Sequence, residues 1–325
     1  MKYSVAIPVD LNLRPLDIIK KTKDILKRAS NEVELVFGHN DRGSIFDKYF
    51  KKITKKDNVK LASGKFYTHL VCQSLLRNEA LKLCSSDFVY IMDVDYIFDE
   101  EIADSCINEL KNGEKPFVYL PCLYLTRKGS RCFFKSNRLE MFEKFINFRK
   151  DLFSGIASPS GGSIFLKKDD YFKIGGFDES FVGRGGEDFE FMIRLGLYHK
   201  LLTPSKDFKI NKFYKSPILS EGFRKYLNFL SLPYFFEKKV SFHIYHGRNR
   251  LRSYFRQYKK NADILDEKIK FDNENLSTNE TSLLKLYEEL CKKYELSLDK
   301  YIILFDSYRP KLFSIERFIL FLRGL

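Results

Sequence analysis

The chain of 325 residues is long enough for one large α/β domain with an appendage, and its 44% hydrophobic content predicts an ordinary buried core. A formal charge of +14 points to an anionic partner (nucleic acid, an anionic membrane face or a phosphorylated substrate) without choosing among them. No apolar run reaches the roughly 20 residues that span a bilayer, MKYSVAIPVD lacks a signal peptide's long apolar core, and the six cysteines form no C-x-x-C pair, so buried thiols in a cytosolic protein are expected.

The first hundred residues alternate strand and helix signals. Residues 3–9 form an apolar run closed by Asp10, 17–28 carry helical spacing, and ELVFG at 34–38 reads as the next strand. HNDRG then predicts a loop presenting Asp41, and the lysine-rich stretch 51–60 a solvated surface. A helix over about 70–83 precedes the apolar strand 88–92. Near-continuous apolar strands alternating with helices predict an α/β fold whose mainly parallel sheet is covered on both faces. Ligands of such sheets bind beyond the carboxyl ends of the strands. Asp10, Asp41, Asp93 and Asp95 all fall there.

From about 100 to 150 the pattern is a helix, one strand over 117–125, then a basic, aromatic segment. SPSGGSIFL at 158–166 reads as a glycine-hinged strand, 169–174 as a short helix, and 189–197 as a helix after the turn at Gly185-Gly186. The character changes after about 261: 272–281 is polar and turn-like, 282–294 is an amphipathic helix, and 315–325 is an apolar, basic tail. The expected division is a domain over 1–262 and a helical extension over 263–325. The tail segment 317–323 and the apolar stretch 223–236 each suit either packing on the domain or lying in an anionic headgroup layer.

Three clusters carry chemistry. Asp93 and Asp95, one residue apart in extended chain, point to the same side and can reach a divalent cation that bridges a diphosphate; turn-forming aspartates are the plainer explanation. Glu187 and Asp188 open a helix behind paired glycines that permit close backbone approach, although a capping carboxylate would look similar. His243 and His246, three apart, can serve one metal from a turn. A mixed carboxylate–imidazole set suits Mn²⁺ better than Ca²⁺, and Mg²⁺ also fits.

The order D-x-D, S-G-G-S with G-G-F-D-E, G-G-E-D, then H-x-x-H resembles the GT-A glycosyltransferases. It is especially similar to the β1,4-galactosyltransferase family and the galactosaminyltransferase module of bacterial chondroitin-type polymerases. The resemblance covers roughly 1–260. It implies a Rossmann-like nucleotide-sugar-binding domain with a mixed, mainly parallel sheet, followed here by a C-terminal helical tail. It also implies an inverting transferase that uses Mn²⁺ or Mg²⁺ and a UDP-sugar.

The implied metal ligands are Asp95, His243 and His246. Asp188 is the implied general base, and Glu187 orients it or binds the acceptor. Asp93, Gly162 and Arg77 are implied donor contacts, as are Pro8, Asp10 and Arg14 through a looser match to the family's nucleotide loop. Asp41 is similar to a residue that reads uracil, and Arg248 belongs to a segment, 247–261, that resembles a mobile lid; a solvated basic helix is the alternative there.

Two departures matter. Arg184 stands where the family carries Trp, which suits either an acidic acceptor or a surface position. Pro159 replaces a bulky Tyr, leaving room for a 2-acetamido group and favouring GalNAc over galactose. The implied acceptor is an oligosaccharide or lipid-linked glycan of a bacterial surface, such as capsule or lipopolysaccharide, made by an enzyme in the cytoplasm or peripheral on the inner membrane face. The competing readings are a basic nucleic-acid-binding protein, a non-catalytic glycan-binding protein, and a GT-A transferase with another UDP-sugar. Dispersed Lys/Arg and the lack of an RRM, KH or zinc-finger signature weigh against the first.

Overall fold

The computed structural model describes residues 1–66, 69–212, 216–247, 253–269 and 282–306. The amino-terminal half follows the predicted alternation: β1 (Ser4–Asp10), α1 (Pro15–Arg28), β2 (Glu34–Asn40), α2 (Ile45–Ile53), β3 (Val59–Gly64), α3 (Gln73–Leu83), β4 (Phe88–Met92) and α4 (Glu100–Lys111). Local chemistry sets the helix starts. Pro15 occupies the first turn of α1, where its missing N–H is not needed. Ser44 and Asp47 cap α2 reciprocally, and Asp99 caps α4.

The main sheet has the order β3-β2-β1-β4-β8-β5, where β5 is Phe117–Tyr119 and β8 is Ser163–Lys167. Strands β3, β2, β1 and β4 run parallel, whereas β8 is antiparallel to both β4 and β5. The strand order reverses at β1, and such a switch point opens a crevice at the carboxyl ends. The register shows where. Strand β1 pairs with β2 along its whole length but with β4 only over Ser4–Ala6, so the sheet parts before Pro8 and Asp10.

The stretch 51–60 ends α2 and begins β3, and its lysines are exposed or half-exposed as expected, with only Thr54 and Asn58 buried. Other expectations needed correction. The single strand over 117–125 breaks at Leu120-Pro121: β5 stays in the main sheet, while β6 (Cys122–Leu125) enters a second sheet of order β11-β6-β7. Proline has no N–H to give a central ladder, which favours a crossing at that point. The segment after β6 holds α5 (Arg127–Phe133), α6 (Arg138–Ile146) and β7 (Phe153–Ala157).

Beyond β8 come α7 (Lys168–Lys173) and α8 (Glu187–Tyr198), which starts two residues earlier than predicted and so includes both acids. The small hairpin β9 (Asn211–Lys212) and β10 (Glu221–Gly222) leads into α9 (Phe223–Phe236). Helix α9 packs on the domain: Phe223 and Leu227 enter one core cluster, and Leu232, Phe235 and Phe236 another. Strand β11 (Ser241–His243) pairs parallel with β6.

The remaining elements are α10 (Ser253–Arg256), α11 (Tyr258–Lys268), α12 (Leu283–Lys293) and a 3₁₀ turn at Ile302–Phe305. Tyr287, Leu290, Tyr301, Ile303 and Leu304 share one apolar cluster with Leu123, Phe153 and Phe242 of the second sheet. The predicted tail 315–325 lies outside the described residues. Among the described residues, no helix is long and apolar enough to cross a membrane.

Candidate active site

A cavity of about 600 Å³ opens at the carboxyl ends of β1 and β4. Pro8, Asp10, Arg14, Arg77, Asp93, Asp95, Gly162, Glu187, Asp188, His243 and His246 all line it, so eleven of the thirteen residues singled out from sequence converge there. Of the other two, Arg248 lies outside the described residues. Asp41 does not line the cavity; Lys51 of α2 pairs with it, and its other oxygen accepts from the Gly43 N–H at 2.9 Å. That lysine hydrogen bond holds the Asp41 carboxyl below its ordinary range.

Backbone pairing brings the histidines to Asp95. The chain after β4 runs beside β11: Ile97 N–H donates to the Phe242 carbonyl at 2.9 Å, and Ile244 N–H to the Asp95 carbonyl at 2.8 Å. His243 sits between the rings of Tyr96 and Tyr124, with His246 5.2 Å from it by ring centroids. One ligand atom from each of Asp95, His243 and His246 lies within 4.8 Å of the others. His246 Nδ1 approaches the Gly247 carbonyl at 3.2 Å, and a carbonyl can only accept, which assigns the ring proton to Nδ1. The bare Nε2 then faces Asp95 Oδ2 at 3.5 Å, acceptor against acceptor, as a cation between them would require. Burial lowers the His246 pKa more than Asp95 raises it, which keeps the ring neutral and able to ligate. The donor set and its spacing therefore fit a divalent cation.

Asp95 is also held by protein cations. Arg14 meets it with two hydrogen bonds, Nη1 to Oδ1 at 3.0 Å and Nη2 to Oδ2 at 2.7 Å, and Lys21 Nζ reaches Oδ1 at 2.6 Å. Burial alone would raise this carboxyl; hydrogen bonds from Arg14 and the nearby positive charges instead hold it far below the usual carboxylate range. Sequence reading missed Lys21, although a signal existed: it lies in the buried stripe Ile18, Lys21, Thr22, Ile25 of α1. Asp10, an expected nucleotide contact, takes a fork of hydrogen bonds from Arg42 at 2.9 and 2.8 Å and one from Asn40 at 2.9 Å.

The second half of the site is an acidic group around one buried guanidinium. Arg77 is 1% exposed; its Nη1 donates to Asp188 Oδ1 at 2.6 Å and its Nη2 to Asp93 Oδ1 at 2.8 Å. Helix α3 can bring it so close because β2 carries Gly38, where a Cβ would stand 1.8 Å from the Leu76 carbonyl oxygen. Glu187 is 6% exposed, and its Oε2 is buried without a hydrogen-bond partner. Burial first, and then the Asp188 charge, push its carboxyl up to about 8, against the opposing pull of Arg77. Glu187 therefore carries a proton at neutral pH. Burial raises Asp93 as well, although Arg77 works against it.

The paired glycines serve this acidic group. A Cβ on Gly161 would stand 2.0 Å from Asp188 Cγ, and one on Gly162 would meet Tyr96 at 2.7 Å and Asp93 Oδ2 at 2.8 Å. Gly162 was expected to admit a donor sugar; its visible constraint is the close approach of Asp93 and Tyr96. Gly186 precedes α8 with φ +98°, where an added Cβ would also strike the Phe181 ring at 2.6 Å. Asn261 of α11 donates to the Val182 and Arg184 carbonyls, both at 3.1 Å, which pins α11 over this loop. Tyr254 and Tyr258 from the segment expected to form a lid line the cavity, as do Arg184 and Pro159.

The sequence matches the protein family described as "Glycosyltransferase like family 2" over residues 14–271. Among solved structures it is similar to TarS of S. aureus, at 16% identity over 60% of this chain and 55% of that one, with a TM-score of 0.41. The mannosyltransferase PcManGT from Pyrobaculum calidifontis, solved with GDP-Man and Mn²⁺, aligns at 16% identity over 60% of this chain and 52% of that one, TM-score 0.37. GalNAc-T7, solved with UDP, GalNAc and Mn²⁺, aligns at 11% identity over 92% of this chain and 55% of that one, TM-score 0.46. The matches span about half the length of those solved chains. No curated protein matches the chain.

Proposed function

Because the chain belongs to the glycosyltransferase-like family 2, we propose that it is an inverting, metal-dependent transferase moving GalNAc or galactose from a UDP-sugar to a hydroxyl of a bacterial surface glycan. The observation that carries this reading is the meeting, in one cavity, of the Asp95–His243–His246 set with the Glu187–Asp188 pair. A fold alone would not license it, since function lives in the site.

In this reading Asp95, His243 and His246 hold Mn²⁺ or Mg²⁺, which when bound neutralises charge on the diphosphate. The acceptor oxygen forms a bond to the anomeric carbon as the bond from that carbon to the phosphate oxygen breaks. The bonding pair leaves with UDP, and the hydroxyl proton passes to Asp188. Arg77 fixes the Asp188 carboxylate by its 2.6 Å hydrogen bond. Glu187, protonated and lining the same cavity, hydrogen-bonds the acceptor or orients Asp188 in this reading. Pro159 and Arg184 line the cavity; in this reading the first leaves room for a 2-acetamido group and the second recognises an acidic acceptor.

A panel of UDP-sugars, scored for UDP release with Mn²⁺ or EDTA, tests the reading on wild type and Asp95→Ala. Metal-dependent release from one donor, abolished by the substitution, supports it and names the sugar. No release from any donor, with no UDP binding by calorimetry, refutes it. We place the enzyme in the cytoplasm, peripheral on an anionic membrane face that carries the acceptor or its lipid-linked precursor. Sedimentation with anionic vesicles, with and without residues 307–325, tests that placement; no binding by the full chain refutes it.

A further inference from the structure

Asp95 is claimed twice. A carboxylate offers about four lone-pair positions, and here Arg14 takes one on each oxygen while Lys21 takes another on Oδ1. The oxygen that faces His246 is Oδ2, the one bonded to Arg14 Nη2 at 2.7 Å. A divalent cation shared by Oδ2, His243 and His246 meets that guanidinium as a like charge in a desolvated corner, which strongly disfavours having both.

The two protein cations differ in their freedom to leave. The Lys21 side chain is 4% exposed, in the buried stripe of α1, and it bonds the far oxygen Oδ1. The Arg14 side chain is 23% exposed and sits where α1 begins. Both also reach Asp17 Oδ2, Arg14 Nη1 at 2.6 Å and Lys21 Nζ at 3.0 Å, and the Asp17 side chain is 36% exposed, so it is the difference in burial that leaves Arg14 the freer of the two.

We propose that Arg14 is a resident counter-cation that occupies Asp95 in the metal-free protein and moves to Asp17 when a divalent cation enters, while Lys21 stays and orients the carboxylate. The inference rests on the metal-ligand part of the reading above and not on the donor sugar. It makes Arg14 a competitor of the metal instead of a nucleotide contact alone. Metal entry becomes an exchange of one cation for another at Oδ2, with the Lys21 contact to Oδ1 kept throughout.

The test is Mn²⁺ titration without donor, with free Mn²⁺ read by its electron paramagnetic resonance signal. The proteins are wild type, Arg14→Gln and Asp17→Asn, the full chain in each case. Arg14→Gln, which removes the competitor, binds Mn²⁺ at least tenfold more tightly. Asp17→Asn, which removes the alternative partner, binds it several-fold more weakly. Melting temperatures give an independent reading: Arg14→Gln melts below wild type without Mn²⁺, and the gap closes as Mn²⁺ saturates.

A purely structural role for Arg14 lowers the melting temperature equally with and without Mn²⁺ and leaves the affinity unchanged; that result overturns the proposal. So does weaker Mn²⁺ binding by Arg14→Gln. Binding by Arg14→Gln where wild type shows none supports it. Binding by neither protein overturns it, and the UDP-sugar panel then decides separately whether the transferase reading stands.

Discussion

Replacing Glu187 with glutamine should change the pH dependence of stability in a defined direction. The carboxyl titrates at about 8 in the fold and near the ordinary 4.5 in the unfolded chain. Between those values the folded state keeps a proton that the unfolded state has released, so stability falls as pH rises, by about 1.4 kcal/mol per pH unit. The contribution is fully present below the unfolded value and is lost as pH climbs through the folded one. Integrated, the loss approaches roughly 5 kcal/mol; water relaxing around an ionised group lowers it, and we expect roughly 2–4 kcal/mol. Glutamine is isosteric with the protonated acid and uncharged at every pH, so the variant lacks this slope. Urea unfolding at pH 5, 6, 7 and 8 should show the two proteins nearly equal at pH 5 and the variant more stable by that margin at pH 8. Parallel stability curves would refute the protonated Glu187.

Three further outcomes follow from the same site and its supports. Arg77→Lys, whose point charge cannot fork to Asp93 and Asp188 together, should cut turnover about 10²–10³-fold with donor KM changed less than about threefold, read by steady-state kinetics; Arg77→Met should also cost about 3–5 kcal/mol in urea unfolding. Gly161→Ala places a methyl 2.0 Å from Asp188 Cγ, so kcat should fall at least about 100-fold while UDP affinity by calorimetry stays within about threefold. Tyr301→Ala removes a ring packed 5.2 Å from Phe235 and 5.0 Å from Phe236. It should cost about 3–5 kcal/mol in urea unfolding, and a negligible loss would mean that the 3₁₀ turn is not part of the core.

Much of the site was legible in the sequence because its supports obey simple periodicities. Strands β1 and β4 are buried on both faces, so each reads as an apolar run closed by an acid that lines the cavity, Asp10 or Asp93. Glycine pairs marked the turns at Gly161-Gly162 and Gly185-Gly186. What sequence could not supply was direction. Asp41 follows a strand as a nucleotide-reading acid should, yet the loop turns it toward Lys51 on the next helix. Lys21 was visible only as a charge inside an apolar stripe, and its partner lies 74 residues away. The break at Pro121 carries a local signal, but that the chain then joins another sheet depends on β7, some thirty residues on, and on β11, which arrives more than a hundred residues later.

That late arrival has a consequence for how the protein is made. Asp95 emerges from the ribosome about 150 residues before His243, an interval on the order of 10–30 s at typical elongation rates. Through that interval β1, β2, β3 and β4 are already available to pair, while the histidines that meet Asp95 do not yet exist. Arg14 and Lys21, synthesised earlier, are the groups that can hold it. The order of synthesis thus makes the cationic contacts of α1 available to Asp95 before the two imidazoles are.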